Sequence, residues 1–132
     1  MKSDNIIVDK SKAFAIRIIK LSEYLRNKRE FVLSEQIKRS GTSIGANVKE
    51  AICGQSRADF YSKINIALKE ASETEYWLEL LYETGYISRT AFLSIYSDCK
   101  ELIRILTEYQ KLRKMTITNN IKMQRSSEIA NL

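Results

Sequence analysis

The sequence predicts an all-α protein, an up-down-up-down antiparallel four-helix bundle. Three observations carry this. Apolar residues recur at three- and four-residue steps through four successive segments, the pattern of one buried helical stripe. Proline is absent and glycine occurs only four times, so few breakers interrupt the segments. No stretch alternates apolar and polar residues long enough to suggest a strand.

The first segment runs from about Asp9 to Arg29, with the seam Phe14, Ile18, Leu21 and Leu25. Asn27 to Glu30 is a polar break, and Phe31, Val32 and Leu33 lead into the second segment. Ser34 is the predicted N-cap there, with Glu35 in the first turn, where a carboxylate suits the helix dipole. Its seam is Ile37, Gly41, Ile44, Val48 and Ala51. Each mid-helix glycine costs about 1 kcal/mol against alanine, a cost that close approach of a neighbouring helix would justify. Gly54 and Gln55 end this helix. Ser56 and Asp59 resemble a capping box that opens the third, with seam Phe60, Ile64, Ala67, Ala71, Leu78 and Leu81. Gly85 stands where a left-handed C-terminal cap belongs, and Ser88 caps the fourth helix. The last seam is Phe92, Ile95, Cys99, Leu102 and Leu106. Periodicity fades near Lys114. The expected organisation is therefore a bundle domain over 1–114 and a flexible C-terminal tail over 115–132. Short connections make sequential helices antiparallel neighbours, and the seven-residue spacing of the seams favours a left-handed bundle.

The chain has 132 residues, enough for one domain with a real core. Histidine is absent, which removes the usual catalytic triad, a histidine base and an imidazole metal ligand. No apolar run approaches the ~20 residues of a membrane helix, and the polar start has no signal-peptide block, so a cytoplasmic protein is expected. Cys53 and Cys99 lie far apart, without metal-site spacing, and read as free, buried thiols of a reducing compartment. Glu70, Glu73, Glu75, Glu79 and Glu83 invite a di-metal reading, but that site wants Glu-x-x-His pairs. A solvated face is the stronger reading, so no cofactor, no metal and no catalytic residue is expected.

Charge divides unevenly. Residues 9–30 hold seven basic and three acidic residues, and residues 89–114 hold six and three. Residues 57–84 reverse this, with three basic and six acidic. Lys10, Arg17 and Lys28 fall on one stripe, as do Lys100, Arg104 and Lys111. Such stripes can track phosphates; the plainer alternatives are a solvated face or pairing with acids. Helix 3 also carries Ile66, Tyr76, Trp77 and Leu80 roughly opposite its seam, an excess that self-association would cover. Ile16 and Ile19 add a similar excess on helix 1. Arg39 and Glu50 share the face of helix 2 away from its seam but stand about 16 Å apart along the axis. They cannot pair with each other, so each needs a partner elsewhere.

The stretch Arg39 to Ala51, followed by Phe60 to Leu78, resembles the four-helix-bundle proteins encoded by intervening sequences of bacterial 23S rRNA genes, also labelled S23 ribosomal proteins. The similarity runs from about Ile6 to Leu112. The family pattern Arg-Ser-x-x-Ser-Ile-x-Ala-Asn-x-x-Glu falls on Arg39, Ser40, Ser43, Ile44, Ala46, Asn47 and Glu50. Lys49 departs from the small residue often found there. The resemblance implies an up-down protomer, a barrel-like homopentamer and no catalytic residue. A relative, the accessory protein of diversity-generating retroelements, is a basic pentamer implicated in nucleic-acid binding. The expected function is that of an oligomeric accessory protein that binds RNA or DNA, RNA being favoured. The alternative is an oligomeric protein-interaction scaffold. Salt separates them, because phosphate tracking weakens steeply with ionic strength and apolar contact does not.

Overall fold

The computed structural model describes residues 2–131, with side chains from residue 6 onward. Four helices follow one another: α1 (Lys2–Asn27), α2 (Phe31–Ile52), α3 (Arg57–Glu83) and α4 (Arg89–Ala130), with no strand among the described residues. Each packs on its two neighbours, α4 closing back on α1. That is the expected bundle.

The seams converge on one core. Phe14, Ile18, Leu25, Ile37, Ile44, Val48, Ile64, Leu78, Leu81, Cys99, Leu102 and Leu106 are all buried. Leu21, Phe60 and Phe92 lie at its edge. Phe92 stacks on Tyr82 at 4.5 Å between centroids, and Phe60 meets Tyr109 edge-on at 5.7 Å. Gly41 allows α1 and α2 to close up: a Cβ there would stand 2.7 Å from Ile18 Cγ2.

Local chemistry ends the helices largely as expected. Ser56 accepts from Asp59 N and Ser88 from Ala91 N, so both cap as predicted. Gly85 is left-handed at φ 83°, and Tyr86 N bonds back to Leu81 O at 2.9 Å, a Schellman closure.

Three elements differ from the sequence reading. α1 begins before Asp9, because Ile7 is buried in the core and extends the stripe by two turns. Ser34 is not the N-cap of α2. Glu30 takes that role, accepting from Leu33 N at 2.9 Å, while Ser34 is buried 2.7 Å from the Ser22 hydroxyl. Arg29 holds the preceding left-handed position at φ 65°, and Glu30 N closes onto Leu25 O. Finally, α4 does not fade near Lys114. It continues to Ala130, and residues 117–131 are all exposed. No glycine or proline follows Gly85, so nothing in the backbone breaks the helix where its core contacts end.

Candidate functional site

The motif helix α2 is braced against α3. Arg39 Nη2 reaches Glu73 Oε1 at 2.6 Å, and Nη1 stands 3.7 Å from Glu70 Oε2. That distance gives attraction without a hydrogen bond, and Glu70 Oε2 has no hydrogen-bond partner. Burial pushes the Glu70 carboxyl above its ordinary value, Glu73 adds to the rise, and Arg39 opposes it. Trp77 Nε1 donates to the same Glu73 oxygen at 3.3 Å. Ser40 is buried with its hydroxyl 2.9 Å from that of Thr74. At the other end Glu50 pairs with Lys63 at 3.3 Å. Arg39 and Glu50 thus each find a partner on α3, as their separation along α2 requires.

The rest of the motif serves α2 itself. Ile44 is core, Ser43 donates back to Arg39 O at 2.6 Å, and Asn47 donates to Ser43 O at 2.8 Å. Ala46 lies exposed beside Gly45 in an open α1–α2 cleft of about 430 Å³, which Ser11, Lys12 and Lys49 also line. Here the sequence pattern marks the bracing of a helix pair.

Five residues of the two basic stripes stand beside acids, and of these only Lys10 and Arg17 reach across the α1–α4 seam. Lys10 pairs with Glu101 at 2.8 Å, and Arg17 with Asp98 at 2.6 Å, also donating to Ser94 Oγ at 3.0 Å. Lys100 pairs with Glu75 at 3.1 Å, Arg104 with Glu101 at 3.6 Å and Lys111 with Glu108 at 3.2 Å. Lys28 lies over the Tyr24 ring at 5.5 Å. These pairs are largely solvent-exposed, and pairs of that kind contribute only about 0–1 kcal/mol, so each cation can exchange its partner cheaply.

The second apolar face of α3 is partly covered. Ile66 is 38% and Tyr76 53% exposed. Trp77 and Leu80 are half-buried, Trp77 packing on the core and meeting Tyr76 edge-on at 5.2 Å. On α1, Ile16 and Ile19 remain exposed.

Four of the six acids of α3 face partners on neighbouring helices. Glu70 and Glu73 face Arg39, Glu75 holds Lys100, and Glu79 accepts from the Tyr96 hydroxyl at 2.9 Å. No group of acids and thiols among the described residues is arranged to hold a metal ion. Both cysteines are free thiols, and Cys99 is buried as expected, but Cys53 is exposed, because it caps the end of α2 past the helix's packed face. Burial is the main cause that pushes the Cys99 thiol up to about 12, so it is inert at neutral pH. No helix is long and apolar enough to cross a membrane among the described residues. What sequence reasoning missed is the long exposed run of α4. Its signal was the absence of any breaker rather than a periodicity.

The chain is an all-α protein, a closed four-helix bundle with a braced α2–α3 pair and charged seams. The chain belongs to the 23S rRNA-intervening sequence protein family, whose model matches residues 3–108. It is also similar to a protein of unknown function from the S23 ribosomal protein family of Bacteroides thetaiotaomicron, known from a crystal structure. The two share 55% identity and superpose with a TM-score of 0.80, over 83% of this chain and 98% of that one. No curated protein matches.

Proposed function

We propose that this protein is an oligomeric, non-enzymatic accessory protein of the cytoplasm that binds nucleic acid, with RNA the favoured ligand. The supporting observation is the division of charge in space. α1 and α4, both net basic, are adjacent, whereas α3, with three basic and six acidic residues, lies diagonal to α1. Lys10 and Arg17 therefore stand at the α1–α4 seam with Arg104, which shares Glu101 with Lys10, while Lys100 reaches to the α3 side of α4. The exposed pairing of Lys10, Arg17 and Arg104 with Asp98 and Glu101 is weak enough for phosphates to compete. Oligomerisation, with five protomers the number implied by the resemblance, repeats this side and turns a weak site into a multivalent one. Ile66 and Tyr76 supply exposed apolar surface for the contact.

The test measures binding of the purified protein to mixed RNA and DNA at low salt, beside its mass by sedimentation at micromolar concentration. The expected results are an oligomer, affinity that falls steeply with salt, and weak sequence preference, because phosphate contacts position without reading bases. Arg104→Glu with Lys111→Glu should weaken binding to all sequences and flatten the salt slope. Absence of affinity at low salt overturns the reading. In that case the scaffold remains, favoured by the uncovered Ile66 and Tyr76. A clean monomer overturns the oligomer.

A further inference from the structure

The basic stripe of α4 does not stop with the bundle. At 100° per residue Lys100, Arg104, Lys111, Lys114, Lys122 and Arg125 all fall within about 80° of arc, along about 38 Å of helix. The first three stand beside Glu75, Glu101 and Glu108. Among the described residues, no acid is in ion-pair distance of Lys114, Lys122 or Arg125. Residues 111–131 hold five cations, Arg113 among them, against one acid, Glu128. All of 117–131 is exposed. This part of α4 also lies outside the family match, which stops at residue 108.

Resting on the nucleic-acid reading above, we propose that residues 111–131 form a helical arm that docks on the phosphodiester backbone of a nucleic acid through Lys114, Lys122 and Arg125. Charge identifies the occupant. Lys114, Lys122 and Arg125 lie in line, in water, with no acid paired to them among the described residues, whereas the bundle's cations must first give up a carboxylate. A rigid helix presents them at fixed intervals, which suits a regularly charged polymer. A lipid surface fits less well. An interfacial helix needs one broad apolar face, but Leu112, Met115, Ile117, Ile121 and Met123 are spread around the arm.

The test uses the full chain and a triple variant, Lys114→Gln, Lys122→Gln and Arg125→Gln, titrated with single-stranded RNA and duplex DNA over a range of salt. Each lost phosphate contact removes about 0.7 from the salt slope on a single strand, so three remove about 2, or about 100-fold in affinity near 0.1 M salt. The charge-preserving variant Lys114→Arg, Lys122→Arg and Arg125→Lys should bind as the wild type does. Circular dichroism should show α4 intact in both, since the side chains are exposed. A wild type that binds and a glutamine variant with unchanged affinity and slope overturn the arm alone. So does loss of binding in the charge-preserving variant, which would make the side chains' shape, not their charge, responsible. A wild type that binds neither polymer, or only anionic vesicles, overturns the arm together with the nucleic-acid reading.

Discussion

Gly41 and Gly45 sit one turn apart on α2, and the same substitution at each should move stability in opposite directions. A Cβ on Gly41 would stand 2.7 Å from Ile18 Cγ2, 2.8 Å from Cγ1 and 3.1 Å from Cβ. All three atoms belong to one β-branched side chain with no exposure, which has one strongly preferred rotamer in a helix and no space to rotate into. The helices would have to part, at an overpacking cost of about 1–3 kcal/mol. Alanine returns about 1 kcal/mol of helix propensity, so Gly41→Ala should lose about 1 kcal/mol net. At Gly45 the new Cβ would meet Ser11 O and Oγ at 3.4 Å, ordinary contact. Gly45→Ala should therefore gain about 0.5–1 kcal/mol. For a chain this size 1 kcal/mol moves Tm by about 3–5 °C, so the two variants should melt about 5–10 °C apart. Thermal unfolding by circular dichroism reads this, at one fixed protein concentration because association would shift Tm by mass action. Ile18→Ala removes the two closest atoms, so its cost should be about 1 kcal/mol smaller in the Gly41→Ala background than alone. Equal upward shifts for both glycines, with additive behaviour of Ile18→Ala, would refute the reasoning.

Leu78, with no exposure at the centre of the α3 seam, should lose about 2–5 kcal/mol as Leu78→Ala in denaturant unfolding; a loss below about 0.5 kcal/mol would remove it from the core. Arg29→Gly should stabilise by about 0.5–1 kcal/mol, since Arg29 holds a left-handed φ of 65° that glycine adopts without strain; unchanged Tm would count against that turn. In the native protein a thiol reagent at neutral pH should modify Cys53 and spare Cys99 until the chain unfolds. The Cys99 thiol is raised from 9.0 to about 12, so the unfolded chain ionises first and stability should fall as pH climbs from 9 toward 12. Equal labelling of both thiols in the folded state would contradict the burial.

The bundle was legible because its determinants repeat or act locally. A seam is visible whenever apolar residues return every three or four positions, and all four seams reach the core. Ser56, Ser88 and Gly85 act on backbone groups a few residues away, so short windows contain their whole chemistry. Ser34 carries the same local signal as Ser56, yet its hydroxyl is taken by Ser22 from another helix, a contact that only packing creates. Arg29 occupies a position where sequence statistics expect glycine, and its geometry follows from the closure of Glu30 N onto Leu25 O.

The site residues were legible as types and faces, but not as partnerships. Whether Arg17 faces a phosphate or Asp98 depends on the rotation and axial register of α1 against α4. Those quantities are set by core packing and leave no trace in the spacing of charges along one helix. The motif face shows what sequence can still decide. The eleven-residue spacing of Arg39 and Glu50 on one helix is enough to exclude their mutual pairing, and each meets its partner on α3. The outer half of α4 is the reverse case. A helix with no partner has no reason to segregate apolar residues, so the loss of periodicity after Lys114 marked the end of packing rather than the end of the helix. The quantity still ordered there is charge: Lys114, Lys122 and Arg125 keep the face that Lys100 and Arg104 begin. That alignment, on a run of helix that is exposed from residue 117 to 131, is the observation on which the proposed arm rests.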